Sequence, residues 1–199
     1  MNPDVNFTED NQRKLLHQIS LGDQLSFRQC YHHFYKNLLQ FAFVLTRNKE
    51  VAEELVEDVF IKFWKNKKTA ENIRNVKVYL YTATKNTCLN YLSSKAHKNI
   101  TEPFDAINIE FASPLSPDQI LIYRETFAKI KSAIETLPPR CKMIFKLIRE
   151  DGLKYKEVAD ILNLSTNTVE AQMTIAIRRI AFIIKEEFEK TATSSPAKK

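Results

Sequence analysis

Glycine is nearly missing from this chain: among 199 residues it stands only at Gly22 and Gly152. Backbone of positive φ depends on glycine, so hairpin networks, Rossmann turns and glycine-rich phosphate loops are disfavoured. The Lys, Glu, Leu, Ile and Ala that fill the chain favour helices instead. Proline supplies the main punctuation. Pro103, Pro114 and Pro117 fall within NITEPFDAINIEFASPLSP, residues 99–117, which has no helical period. Proline removes a backbone donor and biases its predecessor to extended geometry, so this stretch reads as a linker. The expected fold is all-α, with two small helical domains joined by an extended linker, a size the chain allows. Residues 1–24 form an N-terminal extension, polar and then weakly helical. Residues 25–98 form the first domain, broken softly near Arg47–Lys49 and Asn66–Asn75. Residues 118–190 form the second, and TATSSPAKK, residues 191–199, reads as a disordered tail.

Several chemistries are excluded. Cys30, Cys88 and Cys141 are far apart and show no zinc spacing, so they read as reduced core thiols of a cytoplasmic protein. His17, His32, His33 and His97 likewise show no ligand spacing, and no metal or cofactor is expected. Residues 1–14 are polar, unlike a signal peptide, and no apolar run is long enough to span a bilayer. There is no nucleophile–base pair, HExxH or P-loop, so the chain reads as a binding protein rather than an enzyme.

The formal charge is +6, from 30 Lys and Arg against 24 Asp and Glu. Residues 67–98 alone carry Lys67, Lys68, Arg74, Lys77, Lys85, Lys95 and Lys98 against Glu71, which accounts for the whole excess. The same stretch holds Tyr79, Tyr81 and Tyr91 and several asparagines. Cations that follow phosphates, rings that stack on unpaired bases and amides that read base edges suit single-stranded nucleic acid. The plainer reading puts Tyr79, Leu80, Ala83 and Leu92 in a core under solvated lysines. Lys77, Tyr81, Lys85 and Asn86 cannot all share that core face.

Just before it lies EVAEELVEDVFIKFW, residues 50–64. At about 100° per residue, Val51, Ala52, Leu55, Val56, Val59, Phe60 and Phe63 share one half of a helix. Glu50, Glu53, Glu54, Glu57 and Asp58 occupy the other, with Ile61 inside the acidic arc and Trp64 at its edge. A solvated acidic face is the bland reading. A branched apolar residue ringed by carboxylates also suits a basic partner surface with an apolar pocket.

Near the C-terminus, Gly152 fits a helix C-cap after CKMIFKLIRED. The helix KEVADILN follows, with Val158, Ile161 and Leu162 on one face. Asn163-Leu164-Ser165 makes a turn, and Ser165 is a good N-cap for a helix from Thr166. There Val169, Met173, Ala176, Ile177, Ile180 and Ile184 form a packing stripe. The opposite arc carries Asn167, Thr168, Glu170, Ala171, Thr174 and Arg178, with Arg179 at its edge. Small and polar residues near the start of a second helix allow close approach to a major groove. A plain helical hairpin shows the same spacing.

Taken together, LVEDVFIKFW with VKVYLYTATKNTCLNYL resembles the second conserved region of bacterial sigma factors of the extracytoplasmic-function group. LPPRCKMIFKLIREDGLKYKEVADILNLSTNTVEAQMTIAIRRI resembles their fourth region, and TVEAQMTIAIRRI looks most like a branch common in Bacteroidota. The resemblance implies a promoter-specificity subunit. The acidic helix would dock on the β′ coiled coil of core RNA polymerase, with Glu53, Leu55, Asp58, Phe60, Ile61 and Trp64 forming or supporting the face. Lys67, Lys68, Asn72, Arg74, Lys77, Tyr81, Lys85, Asn86 and Asn90 would hold the melted −10 element of promoter DNA. Ser165, Thr166, Asn167, Thr168, Glu170, Ala171, Thr174, Arg178 and Arg179 would read the −35 element, with the apolar flank meeting the polymerase β flap. A membrane anti-sigma protein is the further implied partner. The sequence departs from its relatives at Tyr79, where many carry Trp, and at Thr82, where many carry Arg. Glu170 replaces a common basic residue and could accept from a cytosine amino group. Two rival readings remain: an autonomous helix-turn-helix regulator of duplex DNA, and a sigma-like adaptor that only sequesters a partner. The exposed apolar residue in the acidic arc speaks against the first.

Overall fold

The computed structural model describes residues 9–95, 130 and 132–193. Every regular element among them is helical, and they fall into two compact units. The expected linker at 99–117 and the tail residues 194–199 lie outside the described residues.

Among the described residues the first unit holds four α-helices: α1 (Glu9–Ser20), α2 (Gln24–Thr46), α3 (Lys49–Lys65) and α4 (Val76–Lys95), with a 3-10 helix (Lys67–Asn72) between the last two. The segment before residue 25 is more than an extension. Leu15, Leu16 and Ile19 of α1 are buried, and α1 packs on the 3-10 helix and on α2. Gly22, at φ 90, turns the chain, and the Asp23 carboxylate accepts from the Ser26 N–H at 2.8 Å to cap α2. The soft break expected near Arg47–Lys49 is a tight reversal. Arg47 adopts φ 54, and the Asn48 side chain accepts from the Val51 N–H at 2.9 Å to start α3. The Asn75 side chain accepts from the Val78 N–H at 3.1 Å and opens α4. The core joins Phe34, Leu38 and Phe41 of α2, Leu55, Val59 and Phe63 of α3, and Leu80 and Tyr81 of α4. Burial pushes the Cys30 and Cys88 thiols up to about 12.

The second unit contains α5 (Pro139–Arg149), α6 (Tyr155–Leu162) and α7 (Thr166–Thr193), preceded by a helical turn at residues 132–135. The tail therefore starts later than expected, because α7 runs through Thr193. Past the end of α5, Gly152 takes φ 63 and the Leu153 N–H donates to the Leu147 carbonyl at 2.9 Å. This closes the α5 end, as the glycine suggested. Two lysines of α5 are buried and paired. Lys142 bonds Glu135, and Lys146 lies 2.9 Å from Glu150 and 3.5 Å from Asp151. Desolvated cations require such partners. No described helix is long and apolar enough to cross a membrane.

Candidate functional site

Three surfaces carry the residues singled out above, two on the first unit and one on the second. The first is the outer side of α3. Ala52, Leu55, Val56, Val59, Phe60 and Phe63 are buried against α2 and α4, which fixes the helix by its apolar half. Glu50, Glu54, Glu57 and Asp58 are exposed, and Glu53 is half-buried. Ile61 projects among them with 48% of its surface exposed. Leu55 and Phe60 underlie this face rather than form it. Beside Ile61 opens an apolar groove of about 340 Å³ lined by Phe27, Tyr31, Glu57, Phe60, Ile61, Trp64 and Lys65. Phe27 and Tyr31 come from α2 and were not anticipated. Their signal was legible, because Phe27, Tyr31 and Tyr35 recur every four residues and so share one helical stripe.

Phe27 packs 4.8 Å from Trp64, and the Lys67 ammonium sits 4.7 Å from the Trp64 ring centroid. That contact joins the groove to the second surface, formed by the 3-10 helix and α4. Lys68, Asn72, Arg74, Asn86 and Asn90 are exposed there, and Lys67 and Lys77 are half-buried. Two of the expected contacts are not on this surface. Tyr81 is 0% exposed and packs on Phe41, and Lys85 is 3% exposed. The buried stripe of α4 is Val76, Leu80, Tyr81, Thr84, Lys85 and Cys88, rotated from the expected one. Burial lowers the Lys85 pKa, which is the electrostatic cost of that placement. The outward aromatic is Tyr79, at 36% exposed, with its ring supported 5.6 Å from Phe63. Tyr79, Asn86 and Asn90 are separated by seven and four residues, so they stand in one row along the helix. This row presents a π face followed by two amides.

The third surface is the start of α7. Asn163 adopts φ 55, the Leu164 N–H donates to the Ala159 carbonyl at 2.9 Å, and the Ser165 hydroxyl accepts from the Thr168 N–H at 3.0 Å. The expected turn and cap thus form at the expected residues. Val169, Met173, Ala176 and Ile180 are buried, as the stripe required. Ile177 is not: it is 43% exposed, and Ile184 is half-buried. α7 packs on both α5 and α6. Asn167, Glu170, Ala171, Thr174, Arg178 and Arg179 are exposed, Thr166 and Thr168 half-buried, and Ser165 exposed at the cap. The Ser165 and Thr168 hydroxyls bond each other at 2.8 Å, and Thr174 bonds the Glu170 carbonyl at 2.9 Å. Asn167, Glu170, Ala171 and Arg178 remain to face outward.

Comparison with known proteins gives two family matches: Sigma-70 region 2 over residues 30–98 and Sigma-70 region 4 over residues 127–180. The chain is 24% identical over 166 residues to the ECF RNA polymerase sigma-E factor of Escherichia coli strain K12, covering 80% of this chain and 86% of that protein. It is 25% identical over 152 residues to the RNA polymerase sigma factor SigV of Bacillus subtilis, covering 76% and 87%. Among solved structures, CnrH in complex with the cytosolic domain of CnrY shares the fold at a TM-score of 0.55 and 18% identity, over 88% of this chain and 97% of that one. The sigma factor RpoE of Bartonella quintana, in complex with the anti-sigma factor NepR, does so at 0.54 and 24%, over 80% and 96%.

Proposed function

We infer, from the premise that this chain belongs to the sigma-70 family of RNA polymerase sigma factors and to its extracytoplasmic-function group, a division of labour among its three surfaces. The protein directs promoter-specific transcription by RNA polymerase. On our reading the acidic side of α3 docks on the β′ coiled coil of the core enzyme. Its carboxylates steer a basic partner, and Ile61 with the groove beside it supplies the apolar anchor. The row Tyr79, Asn86 and Asn90, together with Lys68, Asn72, Arg74 and Lys77 of the same unit, holds the unpaired non-template strand at the −10 element. Stacking is worth about 1–3 kcal/mol per base, which favours the melted state over the duplex. The α7 surface reads the −35 element in the major groove, where Ala171 permits close approach and Arg178 meets a phosphate. Exposed Ile175, Ile177 and Phe182 form the apolar flank for the β flap.

The protein supplies binding energy and positioning, and the polymerase supplies the chemistry. RpoE is held by the anti-sigma factor NepR, and CnrH by the cytosolic domain of CnrY; we extend an anti-sigma partner to this chain. A membrane-anchored partner is the form the sequence resemblance implies. The observation that carries the whole reading is the placement, within one unit, of an apolar groove on an acidic helix beside a polar face with an outward ring. An autonomous DNA-binding regulator has no use for the groove.

Run-off transcription tests this. Purified core polymerase of the source organism, given DNA from upstream of the protein's own gene cluster, should yield a discrete transcript only with the protein present. Absence of any transcript together with absence of core binding would refute the reading.

A further inference from the structure

The α3 groove does not end at its lining residues. Tyr31 stacks on Tyr35 of the next α2 turn, with centroids 4.8 Å apart and planes at 25°. Tyr31 also meets Phe60 at 4.7 Å, and Tyr35 meets it at 6.5 Å. The groove floor is thus extended by two phenol rings, both only partly buried. Across from them runs the acidic arc of α3. Glu57 lines the groove, and Glu57 and Glu53 both lie close enough to act on the Tyr35 phenol. Burial, followed by Tyr35 and Glu57, pushes the Tyr31 phenol up to about 12, so both rings stay neutral and electron-rich.

A row of neutral rings facing carboxylates has a definite preference in ligand chemistry. An aliphatic side chain would make no use of the Glu57 carboxylate, and an anion would meet it with like charge at the ring end of the groove, whose lining also includes the exposed Lys65. An arginine satisfies both walls: its guanidinium plane stacks on a ring while its N–H fork meets a carboxylate. We propose that Tyr31, Tyr35 and Glu57 form a clamp for an arginine side chain of the polymerase helix that docks on α3. This rests on the reading of α3 as the docking helix and adds the partner residue it selects. The clamp fixes register along the groove, whereas Ile61 anchors the apolar contact.

The test measures affinity of the full-length protein for purified core polymerase of the source organism. The variants are Tyr31→Leu/Tyr35→Leu, Tyr31→Phe/Tyr35→Phe, Glu57→Gln and Ile61→Glu, with circular dichroism and thermal melting to verify folding. Leucine keeps apolar bulk and removes the π face, and phenylalanine restores that face without the hydroxyl. The leucine pair is expected to weaken binding roughly 3- to 30-fold, and the phenylalanine pair to recover most of that loss. Glu57→Gln, at an exposed position, should weaken it roughly 3-fold or more. Leucine variants that bind like the parent, or phenylalanine variants as weak as the leucine ones, would overturn the clamp. If Ile61→Glu alone abolishes binding in that case, the docking reading of α3 survives without it. If Ile61→Glu also binds normally, that reading falls as well.

Discussion

The ring of Tyr81 packs 5.2 Å from the ring of Phe41, and neither residue is exposed to solvent. The contact ties α4 to α2 through the centre of the first unit. A tyrosine so placed stabilises the fold and is not available to stack on a base. Tyr81→Ala should therefore cost about 3–5 kcal/mol of stability, as expected for removing a buried ring. Tyr81→Phe keeps the ring and should change stability by no more than about 1 kcal/mol. Urea unfolding checks both. Promoter binding by the folded Tyr81→Phe protein should equal that of the parent, and a clear loss would return Tyr81 to the nucleic-acid surface.

Tyr79 is where the strand contact is expected instead. Tyr79→Ala should weaken binding of a single-stranded −10 non-template oligonucleotide to the holoenzyme roughly 10-fold, within the range for one stacked base. Asn86→Ala should alter base preference more than affinity. Recruitment to duplex promoter should change little for either. Equal losses on duplex and pre-melted templates would contradict the assignment.

The contrast between those two tyrosines shows what the sequence could carry. The α3 face was legible because its apolar and acidic residues separate cleanly around the helix, and Ile61 stands out against carboxylates. The turn before α7 was legible because Ser165 and Asn163 have local conformational roles that do not depend on the rest of the fold. On α4 the pattern fails. Its buried stripe includes Thr84, whose hydroxyl is satisfied by the Leu80 carbonyl at 2.8 Å, and Lys85. Tyrosines point both inward and outward. Polar residues inside and rings outside erase the amphipathic signal, so the phase of the helix is set by tertiary packing on α2 and α3. The groove was half legible for a different reason: α3 gave one wall, and pairing it with the α2 aromatics needed the helix–helix contact.

Ile61 gives a sharp test of docking. Ile61→Glu places a charge at the proposed apolar anchor, on a side chain half in water. Stability should change by less than about 0.5 kcal/mol, as for surface substitutions elsewhere. Pull-down of core polymerase should nevertheless fail. Retained binding would remove α3 from the interface.

The buried thiols, with the Tyr31 phenol above pH 10, give an alkaline pH dependence. Cys30 and Cys88 ionise at about 12 in the fold, against 9.0 in the unfolded chain. A raised folded pKa means that the native state holds its protons more tightly. The resulting stabilisation is complete below pH 9 and is lost as pH rises through 12. Each thiol can contribute a slope of up to about 1.4 kcal/mol per pH unit inside that window. The urea midpoint should fall above pH 9, and Cys30→Ala/Cys88→Ala, though less stable at neutral pH, should show a shallower fall. Parallel curves for the two proteins would show that other groups govern the alkaline loss.

Arg178 lies on the outward arc of α7, two turns beyond Ala171 and next to the exposed Arg179. That far from the helix start, a side chain reaches the DNA backbone more readily than base edges, because the helix leaves the groove as it ascends. A phosphate contact adds affinity that is blind to sequence and sensitive to salt, since each neutralised phosphate releases bound counterions. Arg178→Ala should weaken holoenzyme binding to every −35 sequence by a similar factor. It should also reduce the slope of log affinity against log salt by about 1. Glu170→Ala, by contrast, should leave that slope unchanged and relax the preference at one base pair. Titrations across a salt series, on the cognate promoter and on −35 variants, separate the two roles. An unchanged slope for Arg178→Ala, or a loss confined to one −35 sequence, would move that residue from the backbone to the bases.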